Sequence, residues 1–120
     1  MTVIAVDVSG GDFGGRVTMP ASIRFLTTHP NVSIIFAGKK SDIDPYIEAL
    51  PTSVRTRVEV AYAEQVVEMD EKPVKALRAK RGSSMRKAID LVADGQADIC
   101  VSAGNTGALM AMSHTVLKPI

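Results

Sequence analysis

The stretch from Ala97 to Ala111, ADICVSAGNTGALMA, joins an apolar run to a small-residue helix through Gly104-Asn105-Thr106-Gly107. Glycine permits backbone angles and close approaches that a Cβ forbids, and Asn105 or Thr106 caps a helix running from 106 to about 117. The first-turn N–H groups of that helix have no intrahelical acceptor, and the positive end of its dipole lies among them. Such a turn binds phosphate, a carboxylate or a developing oxyanion. The same residues also make a plain helix cap, so the loop alone leaves both readings open.

A second glycine-rich segment, Asp7-Val8-Ser9-Gly10-Gly11-Asp12-Phe13-Gly14-Gly15, follows another apolar run. It fits neither the dinucleotide pattern G-x-G-x-x-G nor the phosphate loop ending in Gly-Lys-Ser/Thr. Asp7 and Asp12 would repel a bound phosphate, so they are expected to orient the loops and their donors, together with Gly10 and Gly11. Side-chain caps on turn N–H groups are the equally simple alternative. A third feature is basic. Lys72, Lys75, Arg78, Lys80, Arg81, Arg86 and Lys87 are half of the 14 lysines and arginines of the chain. The run leads into Gly82-Ser83-Ser84, where a helix begins with Arg86 in its first turn. A cation there opposes the helix dipole by a few tenths of a kcal/mol, which makes more sense if Arg86 faces an anion or an acidic partner. A solvated helix face is the bland account.

Other chemistries lack their residues. His114 lies on the order of 13 Å along its helix from the anion-binding end, too far to act there as a base, and His29 before Pro30 reads as a helix C-cap. There is no Ser-His-Asp arrangement, zinc-ligand spacing or Cys-x-x-Cys pair, so no metal site and no cofactor is expected. The single cysteine, Cys100, sits inside an apolar run as a small hydrophobe in a reducing compartment.

These loops need a scaffold. Thr2 to Val8, Val32 to Ala37, Val58 to Tyr62 and Ala97 to Ser102 are β-branched runs. Between them lie helical patterns at Met19 to Thr28, with Pro20 near the first turn, Ser41 to Leu50, with Ser41 and Asp42 as caps, and Ser83 to Ala93, ending at Gly95. Strands alternating with helices imply an α/β fold, a mostly parallel sheet with helices on both faces and right-handed crossovers. Because Ile99-Cys100-Val101 has no polar face, its strand is expected to be covered on both sides. Ligands in such sheets bind at the carboxyl ends of the strands, where both glycine-rich loops fall.

Bulk properties set the remaining bounds. At 120 residues and 46% hydrophobic, the chain is one ordered domain. Its net charge of +1 argues against nucleic acid as a partner of the whole surface. The first residues are too short for a signal or membrane segment, so the chain reads as cytoplasmic. The end at Pro119-Ile120, directly after a helix, reads as that of a piece of a longer chain.

Four strings in register, DVSGGDFG (7 to 14), VVEMDEKP (66 to 73), SSMRKAIDLV (83 to 92) and VSAGNTGALMA (101 to 111), closely resemble the amino-terminal third of the bacterial phosphate acyltransferase family. The first loop departs from that pattern, with Val8-Ser9 where the family has Ala-Met and Gly15 where it has Pro. The resemblance implies transfer of a long fatty acyl group from acyl carrier protein to inorganic phosphate, giving acyl phosphate for phospholipid synthesis. It also implies the three-layer α/β/α fold of phosphate acetyltransferases and isocitrate-dehydrogenase-like enzymes, a homodimer, and peripheral membrane association in the longer protein. In that chemistry phosphate is the nucleophile and a thiolate leaves, so positioning and charge stabilisation suffice. Ser83, Ser84, Gly104, Asn105, Thr106 and Gly107 would hold phosphate or the thioester oxyanion, Arg86 and Lys72 would supply positive charge, and the basic stretch 72 to 87 would meet the acidic carrier protein. A nucleotide- or anion-binding α/β module without activity of its own is the alternative.

Overall fold

A computed structural model describes residues 1–117, so the expectation placed on Pro119-Ile120 lies outside the described residues. Four strands form an all-parallel sheet in the order β3-β2-β1-β4. They are β1 (Thr2–Asp7), β2 (Val32–Gly38), β3 (Val58–Tyr62) and β4 (Ile99–Ser102). Helices α1 (Gly15–Thr28), α2 (Lys40–Ile47) and α3 (Thr52–Arg55) fall in the connections from β1 to β3; α4 (Pro73–Ala79) and α5 (Ser84–Ala93) lie between β3 and β4, and α6 (Thr106–Leu117) follows β4. The result is the three-layer α/β/α arrangement that the alternation of runs implies.

The two faces of the sheet are filled differently. Val6, Ile34, Phe36 and Val58 pack with Met19 and Leu26 of α1, Ile43 of α2 and Val54 of α3. On the opposite face Ala5 and Ala37 meet Ala88 of α5, and these small side chains let that helix lie close to the sheet. Beyond it, Met85 and Ile89 of α5 pack with Ala76 of α4 and Ala108 and Met112 of α6.

Several local expectations shift. Helix α1 starts at Gly15, one turn before the expected start, because Thr18 Oγ1 donates to the carbonyls of Gly14 and Val8 and fastens its first turn to the end of β1. Pro20 therefore lies inside the helix, on its exposed side. Ser41 and Asp42 sit within α2 and do not cap it; the Asp42 carboxylate instead accepts from Ser9 Oγ at 2.6 Å. No glycine ends α1; Arg57 donates to the carbonyls of Leu26 at 2.7 Å, His29 at 3.0 Å and Val32 at 2.7 Å. The expected cover on both sides of β4 is corrected. β4 is an edge strand among the described residues, and Ile99 and Val101, opposite in direction to the half-buried Cys100, stay 48% and 52% exposed.

Candidate functional site

The carboxyl ends of β1 and β4 lie side by side, Asp7 paired in register with Ser102. That register brings both glycine-rich loops to one edge. The fully buried Asp7 carboxylate ties them together, its Oδ1 accepting from the Gly10 N–H at 3.1 Å and its Oδ2 from Ser102 Oγ at 2.7 Å. Ser102 Oγ in turn accepts from the Gly104 N–H at 3.0 Å. One carboxylate thus orders the start of both loops through a chain of hydrogen bonds, each polar group answering the desolvation of the next. A Cβ at Gly10 would collide with Asp7 Oδ2, and Gly11, at φ +88°, lies where a Cβ would come within 3.0 Å of the Ala103 carbonyl. Glycine at these two positions lets the loops touch. Beside them Gly10, Asp12, Phe13, Thr18 and Ala103 line a small cavity of about 170 Å³, open to solvent. Asp12 is exposed and makes no hydrogen bond with any of the described residues.

The second loop divides its donors between structure and solvent. Asn105 is the N-cap of α6: its Oδ1 accepts from the Ala108 N–H at 3.1 Å. Its Nδ2 donates to the carbonyls of Glu68, Met69 and Glu71, at 3.1, 3.2 and 2.7 Å. The side chain is therefore fully engaged with protein. The Gly104 N–H is also spent, on Ser102, whereas no acceptor among the described residues meets the N–H groups of Thr106 and Gly107. Thr106 is exposed and Gly107 partly so. The glycines are explained by close packing: a Cβ at Gly104 would lie 2.9 Å from Met85 Cε, and one at Gly107 would lie 2.6 Å from Pro73 Cγ.

That contact places Lys72 near the same helix end. Lys72 is the exposed N-cap residue of α4, directly before Pro73, a Lys-Pro start that a sequence can signal. Ser83 caps α5 by accepting from the Arg86 N–H at 3.1 Å, and the Ser84 N–H donates to the Gln65 carbonyl at 3.0 Å. Both serines are fully buried, and Ser84 Oγ is the one buried side-chain polar atom without a partner among the described residues. An unpaired buried hydroxyl costs about 1–3 kcal/mol. The Arg86 guanidinium is drawn along its own helix to Asp90, Nε to Oδ1 at 3.0 Å. The acidic partner that its first-turn position called for is thus one turn away in sequence.

Charge and reactivity elsewhere fit this layout. Burial pushes the Cys100 thiol up, and the neighbouring Asp7 carboxylate adds to the shift, so the thiolate form is disfavoured there. The Glu68 N–H, and then Lys80, hold the Glu71 carboxyl below its ordinary range, and this fixes the loop that Asn105 clamps. Ser102 escaped sequence reasoning; its signal was a lone hydroxyl closing an apolar run immediately before the glycine turn. Also unanticipated is an open cleft at the end of β3, where Tyr62 donates to Asp44 at 2.5 Å and Lys40 pairs with the same carboxylate at 3.1 Å. Among the described residues no helix is long and apolar enough to cross a membrane, and no cluster of metal-ligating side chains occurs.

Comparison with known proteins covers nearly the whole chain. The chain is 49% identical over 117 residues to the phosphate acyltransferase of Shewanella pealeana, which covers 98% of this chain and 34% of that protein. It is 49% identical over 115 residues to the phosphate acyltransferase of Shewanella amazonensis, covering 96% of this chain and again 34% of the relative. The phosphate acyltransferase of Shewanella woodyi is 44% identical over 117 residues. The chain thus spans about a third of the length of these curated relatives. A family profile described as fatty acid synthesis protein matches residues 2–120, and with the whole chain aligned in this way, the protein belongs to the fatty acid synthesis protein family.

Proposed function

We propose that this chain forms the amino-terminal portion of a phosphate acyltransferase that moves a long-chain fatty acyl group from the thioester of acyl carrier protein to inorganic phosphate. The observation that carries this reading is the pair of unanswered donor sets at one sheet edge: the Thr106 and Gly107 N–H groups, and the buried Ser84 hydroxyl at the start of α5. Phosphate oxygens would satisfy the exposed Thr106 and Gly107 donors, whose helix end favours the charge, and would reach the fully buried Ser84 hydroxyl only if the start of α5 opens. The relatives' name, phosphate acyltransferase, supports the same chemistry. In this scheme the backbone donors hold the nucleophile, and Lys72 stabilises the charge that builds on the thioester oxygen. Asp7 acts as a positioning residue, holding both loops. Asn105 does so too, and its side chain is not a ligand. Arg86, paired with Asp90, contributes at most through its outer guanidinium nitrogens.

The exposed cations Lys72, Lys75, Arg78 and Arg81 form the surface that would steer the acidic carrier protein. A homodimer and a peripheral seat on the cytoplasmic membrane face complete the reading for the longer protein. The chain of 120 residues by itself would bind phosphate weakly without turnover, as an anion-binding α/β module, since a site spread over a cleft loses its preorganised donors when one wall is absent. The test is acyl phosphate formation from acyl carrier protein thioester by a chain of the relatives' length bearing these residues. Ser84→Ala should raise the phosphate KM, and Lys72→Ala should lower kcat. Unchanged kinetics in both variants would refute the assignment.

A further inference from the structure

Ser84 is buried with its hydroxyl unanswered, yet the residue that holds its backbone in place lies at the surface. That residue is Gln65. Its carbonyl accepts from the Ser84 N–H at 3.0 Å, its Oε1 accepts from the Gly82 N–H at 3.1 Å, and its Nε2 donates to the Ala79 carbonyl at 3.4 Å. An isolated parallel bridge, Gln65 with Ser83, completes the attachment. The Gln65 side chain is exposed to water, whereas Ser83 and Ser84 beneath it are fully buried. Hydrogen bonds placed at the surface and outside any continuous ladder open locally well before the whole fold does.

Opening there bares donors for an anion. The Met85 N–H, in the first turn of α5, meets no acceptor among the described residues, and the Ser84 N–H joins it once the Gln65 carbonyl lets go. With the Ser84 hydroxyl they make three donors at the positive end of a ten-residue helix. A buried hydroxyl without a partner is a standing loss in the closed form, so a ligand that supplies an acceptor favours the open one. Outside Gln65 lies a cavity of about 310 Å³, lined by Tyr62, Glu64, Gln65, Gly82 and Lys87. Lys80 anchors the far end of the turn, donating to the Val66 carbonyl at 3.0 Å and pairing with Glu71 at 3.3 Å. Only residues 82–84 then need to move. We propose that Gln65 is a latch that closes the start of α5 over Ser84 while no anion is bound, and that phosphate binding is coupled to its release. This rests on the phosphate assignment of Ser84 made above, and adds that the site has a closed resting form.

The sign of one mutational effect tests it. A residue that merely braces the site weakens phosphate binding when it is lost, or leaves it unchanged. Loss of a latch tightens binding, because the apparent dissociation constant falls as the competent fraction rises. Gln65→Met keeps the bulk of the side chain and removes both of its hydrogen bonds. In the 120-residue chain, titrated with inorganic phosphate at constant ionic strength and followed by amide NMR, it should tighten binding by about 2- to 10-fold, the equilibrium weight of one ordinary hydrogen bond. Amide exchange at Gly82 and Ser84 should quicken by the same factor, with Ile89 in the body of α5 unchanged. Adding Ser84→Ala should erase the gain in affinity. Binding that Gln65→Met weakens or leaves unchanged, at a site that Ser84→Ala still impairs, overturns the latch and leaves the phosphate assignment standing. Binding that Ser84→Ala does not alter in either background overturns the assignment, and the latch with it.

Discussion

Replacing Asn105 by alanine removes at one stroke the cap of α6 and the clamp on residues 68 to 71. Loss of an N-cap side chain costs about 1 kcal/mol. The two Nδ2 hydrogens, shared among three carbonyls, contribute about 1 kcal/mol each, somewhat less where water reaches the exposed Glu68 and Met69 backbone. The sum is about 2–3 kcal/mol, which for a domain of this size lowers the melting temperature by about 8–15 °C. Circular dichroism melts, with urea titrations to confirm a lower midpoint at constant slope, measure it. Asn105→Asp is the informative companion. It keeps the capping oxygen and adds a charge that the α6 dipole favours, yet it turns an acceptor toward three carbonyl oxygens. It should therefore recover only the capping share of the loss. An alanine variant melting within about 2 °C of the parent, or one that loses phosphate binding at unchanged stability, would show that Asn105 serves a ligand and that the clamp is incidental.

Other perturbations probe the same edge. Gly104→Val forces Met85, Ser102 and Asp7 apart, since even a Cβ would lie 2.9 Å from Met85 Cε, and should cost about 1–3 kcal/mol by overpacking; a Gly104→Ala chain should be partly rescued by Met85→Ala in thermal melts, and absence of rescue refutes the steric account. Arg86→Ala breaks only the pair with Asp90, worth about 0.3–0.5 kcal/mol, so a large loss of stability by urea titration would contradict that pairing. The Glu71 carboxyl is held below the ordinary carboxylate range, so its contribution is present above the unfolded-state value and is lost as pH falls through the lower folded value; Glu71→Gln should flatten this acid limb in melts from neutral pH downward, and an unchanged acid limb would count against it.

The alternation of strands and helices was legible because each β-branched run ends in a turn cluster and each long helix has its period. Helices α3 and α4, of four and seven residues, are too short for periodicity to show. The loops' position at one edge followed from parallel topology alone. Which donors remain open did not, because the deciding contacts join residues far apart: Asp7 with Ser102 across 95 positions, Ser9 with Asp42 across 33. The Arg86 partner was within reach, an aspartate at i+4 on the same helix, and a first-turn cation should be weighed against such a neighbour before an anion is invoked. The exposure of β4 was invisible, since an apolar run reads the same at the edge of a sheet as at its centre.

Arg57, which takes the carbonyls of Leu26 in α1, of its C-cap His29 and of Val32 at the start of β2, ties that helix end to a distant part of the chain. Its three acceptors lie 25, 28 and 31 positions earlier, so these contacts form only when the chain closes a loop of that length, an entropic cost of about 3 kcal/mol. The first turn of α1, fastened by Thr18 to residues ten or fewer positions away, carries no such debt to distance. The two ends of the helix are thus anchored over very different sequence separations. Arg57→Ala should therefore loosen the last turn of α1 and the entry to β2 together, although 25 or more positions of sequence separate them from residue 57.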